Sequence, residues 1–277
     1  MYIARTGAKV FRPGHRPTIR GKGKGLLGAG LHTFTATIGF LGKYLLATGR
    51  VSWTVDLGFC STHLLCNKQA RLILERDGHG VAAGLLERYR RELDLGVCWP
   101  DSGWGSVHHF YHARTGDGLL GRAPADVVGE RYFRRAFDLW RRGSYGKAMF
   151  FLGAATHLLQ DLCEPHHASC VWGIGHACYE RWVQKHSDSF LSGERGIYKT
   201  FREPVKWFQY CARKSYGLFD LVRERSNVKS YRQATEYLLA LTQRITAGFW
   251  LNFFKQVGVI LNIKPIVSVQ GWACNLK

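Results

Sequence analysis

Three histidines and an aspartate fall between His157 and His167 in the stretch FFLGAATHLLQDLCEPHHASC, which runs from Phe150 to Cys170. Imidazole nitrogens and carboxylate oxygens are donors that a divalent ion such as zinc takes, and an apolar helix has no packing use for them. His157 and Asp161 stand four residues apart, so on a helix they share one face at neighbouring heights. Pro165 is expected to end that helix and leave His166 and His167 on the exit loop. Downstream, GHACYERW repeats the spacing with His176 and Glu180. One His–acid pair at this spacing is an ordinary surface ion pair; two, separated by a loop carrying further histidines, point to a metal centre. Upstream, CWPDSGWGSVHHFYHARTGDG adds Asp101, His108, His109 and His112 in a Gly- and Trp-rich loop, where histidines taken alone would be unremarkable.

The eight cysteines show no CxxC pair and no regular framework. Cys163, Cys170 and Cys178 lie among and just beyond the histidines, but thiolate zinc sites usually present close pairs. The cysteines therefore read as small buried packing residues.

The elements that must position these groups read as helices. HLLCNKQARLILERDG is expected to form one stopped by Gly78, and VAAGLLERYRRELDLG another stopped by Gly96. ADVVGERYFRRAFDLWRRGSYGKAMFFLGAATHLLQDL makes two more, broken near Gly143, and Phe151, Ala155, Leu158 and Leu162 give the second a buried stripe. EPVKWFQYCARKSYGLFDLVRERS and YRQATEYLLALTQRITAGFWLNFFKQVG supply two long amphipathic helices. Only KPIVSVQGWACN hints at a strand. The expected fold is all-α, a compact single-domain bundle, which 277 residues with 46% hydrophobic content can bury.

The formal charge is +19, which calls for an anionic partner: phospholipid headgroups, nucleic acid or an acidic wall. Nine of the Lys/Arg lie in residues 1–52 with no acid among them, so the remainder carries about +10 (19 minus 9). Residues 1–24 are basic and rich in Gly and Pro, and GLLGAGLHTFTATIGFLG (25–42) is uncharged. That run contains a His, three Thr and five Gly, which suits a leader or prosegment better than a membrane helix. Residues 1–52 are therefore expected to be a basic leader or propeptide that is removed, 53–260 a helical catalytic domain and 261–277 a tail. A leader implies a secreted or cell-surface protein.

HLLQDLCEPHH resembles the signature of the bacterial zinc-dependent phospholipases C, the phosphatidylcholine-hydrolysing enzymes and the clostridial alpha-toxin group. WRRGSYGKAMFFLGAATH is similar to the helix leading into that signature, WPD…HHFY to the family's YPD…DHF loop, and STHLLCNKQARLILERDG to its first helix. The likeness spans roughly 53–220. It implies one zinc held by His109, His157 and Asp161 and a second by His167, His176 and Glu180. A third would be served by His63, sharing Asp161 and completed by the terminal amine and carbonyl of a mature N-terminal Trp53. That amine exists only if the chain is cut between Ser52 and Trp53. Asp101 would lie beside or between the ions, as ligand and candidate base. Two to three zinc ions are implied in all. Whether His108 or His109, and His166 or His167, takes the ligand position is open, the motif favouring the second of each. Departures are Leu158, Leu159 and Cys163 within the signature and His112 in place of a loop acid; no C-terminal β-sandwich is expected.

The resemblance implies hydrolysis of phospholipid at a bilayer surface to diacylglycerol and a phosphorylated headgroup. The rival enzymatic reading is a related single-strand-specific zinc nuclease, for which basic charge interleaved with aromatics would also serve. Glu180, where nucleases tend to carry Asp, and the distance from Trp53 to His63 favour the lipase. A third reading is a non-catalytic, basic, membrane-associating helical protein with incidental histidines.

Overall fold

The computed structural model describes residues 60–102 and 107–259, so Trp53, the cleavage point before it and the KPIVSVQGWACN segment lie outside the described residues. The chain divides into two units, 1–54 and 55–277, and every described residue belongs to the second. The described residues form nine α-helices, and no strand occurs among them. They are α1 (Ser61–Arg76), α2 (Gly80–Arg88), α3 (Arg90–Cys98), α4 (Ala125–Arg141), α5 (Tyr145–Asp161), α6 (Pro165–Ala168), α7 (Ile174–His186), α8 (Val205–Tyr216) and α9 (Val228–Gln256). The all-α expectation holds for what is described.

In α1, Cys66, Ala70, Ile73 and Leu74 recur at helical spacing and form its buried stripe. Gly78 ends it as expected, at φ +86, with the His79 amide returning to the Leu74 carbonyl at 2.8 Å. α5 has no solvent face to speak of: twelve of its seventeen residues are buried, which makes it the central rod of the bundle. It packs against α3 and α4, while α9 covers α1 and reaches α5 through Trp250, whose indole donates to Thr156 Oγ1 at 2.8 Å. Asn227 caps α9 by accepting from the Ser230 amide at 2.9 Å.

Two expectations are corrected. VAAGLLERYRRELDLG is broken at Tyr89 into α2 and α3, and α3 continues through Gly96 to Cys98. Gly96 is a packing residue: a Cβ there would run into the Phe150 carbonyl, and one on Gly153 into that of Leu93. The two glycines thus let α3 and α5 approach backbone to backbone. In addition, Cys60 and Cys98 are joined in a disulfide, Cα to Cα 5.6 Å, which the spacing of the cysteines did not announce. It ties the chain just before α1 to the end of α3.

Candidate metal centre

The C-terminal end of α5 carries His157 and Asp161 one turn apart, both buried, and the neighbouring segments converge on them. His63 comes from the first turn of α1, Asp101 from the turn after α3, His109 from the loop before α4, His167 from α6, and His176 and Glu180 from α7. All eight predicted residues among those described are brought to this end of the bundle. Asp161 is the hub: Oδ1 lies 3.4 Å from His63 Nε2, and Oδ2 lies 2.9 Å from His109 Nδ1 and 3.1 Å from His157 Nε2. Asp101 Oδ1 stands 3.4 Å from His157 Nε2 and 3.6 Å from His109 Nδ1. Beyond them, His167 Nε2 and His176 Nε2 are 3.0 Å apart, with Glu180 Oε1 at 3.2 and 2.9 Å. Three donor sets result, each with its atoms within 4.8 Å of one another: His63–Asp101–His157, His109–His157–Asp161 and Glu164–His167–His176.

Carbonyl oxygens fix which ring nitrogen three of the histidines offer. His157 Nδ1 donates to the Val97 carbonyl at 2.7 Å and His167 Nδ1 to the His109 carbonyl at 3.2 Å, so each presents an Nε2 lone pair inward. His63 is set by a longer relay. Asp94 accepts from Asn67, whose side-chain oxygen accepts from Gln160 Nε2, leaving Gln160 Oε1 to receive His63 Nδ1–H at 2.8 Å. Thr246 on α9 accepts the second Gln160 hydrogen at 3.2 Å. Such outer partners orient metal ligands and raise their basicity.

The donors fit a cation. Asp161 Oδ2 is buried without a hydrogen bond although imidazole nitrogens ring it, and the His167 and His176 Nε2 atoms face each other at 3.0 Å beside Glu180, an arrangement that positive charge satisfies. With no ion, that charge is carried by protons. Burial disfavours the charged form of His157, but the Asp161 and Asp101 carboxylates overcome it and hold its pKa well above the ordinary imidazole value. His167 is likewise opposed by burial and raised by Asp161 and Glu180 to about 10. Asp161 answers in the other direction: burial resists its charge, yet His157 and His167 pull it well below the usual carboxylate range. His63 is pushed down by burial and by His157.

The neighbours of the matched histidines turn elsewhere. His108 Nδ1 meets the Ala123 carbonyl at 3.0 Å, His112 Nδ1 receives the Arg114 and Thr115 amides, and His166 pairs with Glu164 at 2.6 Å. Pro165 does not release the chain into a loop. It opens α6, which contains both His166 and His167, and Glu164 caps it by accepting the His167 amide at 3.0 Å. Glu164 is the residue the sequence reading missed: its Oε2 lies 3.8 Å from His176 Nε2. The acid directly before Pro was the available signal, as an N-cap one residue ahead of a helix-opening proline. No cysteine joins the three sets; Cys163 packs in the core, and Cys170 bonds to the Asp117 carbonyl.

The family model described as zinc dependent phospholipase C matches residues 62–257, which takes in every donor just placed. The chain belongs to the zinc dependent phospholipase C family. The phospholipase C of Listeria monocytogenes is 26% identical over 181 residues, covering 59% of this chain and 63% of that protein. That of Paraclostridium bifermentans is 27% identical over 204 residues, covering 62% of this chain and 51% of the relative. The chain thus spans less than two thirds of the length of these phospholipases C. The alpha toxin from Clostridium absonum superposes with a TM-score of 0.65 at 20% identity, over 74% of this chain and 65% of that one, so the helical fold is shared. These matches favour neither the nuclease nor the non-catalytic reading.

Proposed function

We propose that the protein is a phospholipase C that hydrolyses the glycerol-side phosphodiester bond of a phospholipid, releasing diacylglycerol and a phosphorylated headgroup. The observation that supports this is Asp161, whose two oxygens face different histidines and so would bridge adjacent donor sets in a site of more than one ion. His109, His157 and Asp161 would hold one zinc, and His167, His176 and Glu180 a second. His63 and Asp101 would serve a third, with Trp53 if the chain is cut before it. Bound zinc supplies a water nucleophile near neutral pH and neutralises charge on the phosphoryl oxygens.

The remaining chemistry belongs to the protein. Asp101 is 39% exposed where Asp161 is 6% exposed, so it is the carboxylate of the first cluster that can meet substrate and take a proton from the attacking water. Burial works against its charge, but His157 holds its pKa below the ordinary value, so it is ionised and ready to accept. A cleft walled by Trp99, Tyr132 and Val128 opens beside His109 and offers apolar surface next to the reacting phosphate. No described helix is long and apolar enough to cross a membrane, and the enzyme would meet its lipid at the bilayer surface.

The deciding experiment offers the purified protein phosphatidylcholine and single-stranded DNA side by side, with bound zinc measured by mass spectrometry. Two to three zinc ions, lipid hydrolysis and its loss to chelator are expected. Cleavage of DNA alone, or full activity without metal, would overturn the reading.

A further inference from the structure

Beside the centre, two loops turn large apolar side chains out to water. The segment between His167 and His176 reads ASCVWGIG and leaves Trp172 77% and Ile174 74% exposed, with Val171 next to them. The turn Leu119–Gly121 holds Leu120 at 86% exposure. The two loops are fastened together, because the Ala113 amide donates to the Ala168 carbonyl at 2.9 Å and Cys170 Sγ donates to the Asp117 carbonyl at 3.4 Å. Glu180, half exposed, marks where this side of the centre meets solvent.

Single exposed apolar residues are ordinary on a protein surface; four on two loops fastened together are not. Here the backbone is committed to the arrangement. Leu120 and Cys170 both take φ 51, and among the described residues only Arg225 shares a positive φ without being glycine. Arg114 and Arg122, on the loop that carries Leu120, are exposed as well. Tryptophan settles at the headgroup level of a bilayer, where its ring is half apolar and half polar, and arginines on the adjoining loop match anionic headgroups. The charge of about +10 (19 minus 9) left outside residues 1–52 has the same sign of preference.

We propose that Leu120, Val171, Trp172 and Ile174, with Arg114 and Arg122, form the face that docks on a phospholipid bilayer containing anionic lipid. The docking face sets the centre against the headgroup layer. Its purpose rests on the phospholipase reading, but the docking itself is measurable without hydrolysis.

The test compares the zinc-loaded wild type with Trp172→Asp, and with the milder Trp172→Ser in case the first disturbs folding. One arm measures sedimentation with vesicles of phosphatidylcholine, with and without phosphatidylglycerol. A second measures hydrolysis of a short-chain phosphatidylcholine present as monomers. The wild type should sediment best with the anionic vesicles. The variants should bind about ten- to hundredfold more weakly, the worth of one buried indole, with monomer hydrolysis unchanged. Equal sedimentation of variants and wild type overturns the proposal, as does a wild type that ignores both vesicles. A dimer in sedimentation velocity that Trp172→Asp dissolves would assign the face to a second copy and overturn it too. If no monomeric lipid is hydrolysed yet the variants lose vesicle binding, the docking face stands and the phospholipase reading falls.

Discussion

Asp161 faces His63 with one oxygen and His109 and His157 with the other, so neutralising it should disturb more than one donor set at once. Among the described residues, Glu180 pairs with His167 and His176. Asp161→Asn is therefore expected to lose essentially all bound zinc and activity, whereas Glu180→Gln should lose the ion of its own cluster and keep the other. Zinc counted by mass spectrometry separates the two, and equal losses would contradict the assignment. Behind the ligands, Gln160 is the residue that decides which nitrogen His63 presents. Gln160→Ala should weaken zinc binding about 10- to 100-fold, the usual cost of removing an outer-shell partner, as read by competition with a chromogenic chelator. The adjacent histidines show what residue types alone leave undecided. His108 and His109 are chemically the same, and so are His166 and His167. Their surroundings diverge because the Ala123 carbonyl and the Glu164 carboxylate engage the imidazoles of His108 and His166, and those partners are placed by the fold.

Among the elements, the pairing of α3 with α5 carries the most consequence for the site. Gly153 stands one turn before His157, and its missing Cβ lets Val97 come close enough for its carbonyl to hold His157 Nδ1 at 2.7 Å. Gly153→Ala should cost about 1–3 kcal/mol by overpacking, seen as a lower denaturation midpoint. It should also weaken zinc binding, although Gly153 touches no ion. Unchanged zinc affinity in a destabilised variant would show that the crossing serves stability alone. Most helices were legible, because apolar stripes and Gly78 are local signals, but EPVKWFQYCARKSYGLFDLVRERS is shorter than expected: its helix ends at Tyr216, before Gly217. Gly96 was not legible, since a helical glycine marks either an end or a close approach, and only the partner helix tells which. Pro165 misled for a related reason: proline forbids continuing a helix and favours beginning one, and the turn after Asp161 allows α6 to start at once.

For the whole molecule, the charged centre makes stability depend on pH and metal together. The folded pKa values of His157 and His167 are raised, so in metal-free protein their contribution is full below about 6.5 and is lost as pH climbs, for His167 toward about 10. Asp161 is depressed, so its contribution is present above the ordinary carboxylate range and lost on acidification. His63, also depressed, adds stability above about 6.5 and offsets part of the alkaline loss. Zinc needs its imidazoles neutral, so its binding should release protons and strengthen with pH. The gap in melting temperature between zinc-loaded and chelated protein is expected to widen from pH 5 to pH 9; a constant gap would contradict the assigned protonation. The Cys60–Cys98 bond belongs to the same account. Its covalent ring contains His63, and Asp101 stands just beyond its second cysteine. Cutting it frees two donors of one set, so reduction should lower zinc affinity. Binding free energies are reciprocal, and zinc must therefore protect the disulfide from reductant by the same factor. Free thiol measured against added reductant, with and without zinc, would reveal oxidant and metal as cooperative ligands of one protein, each tightening its grip on the other.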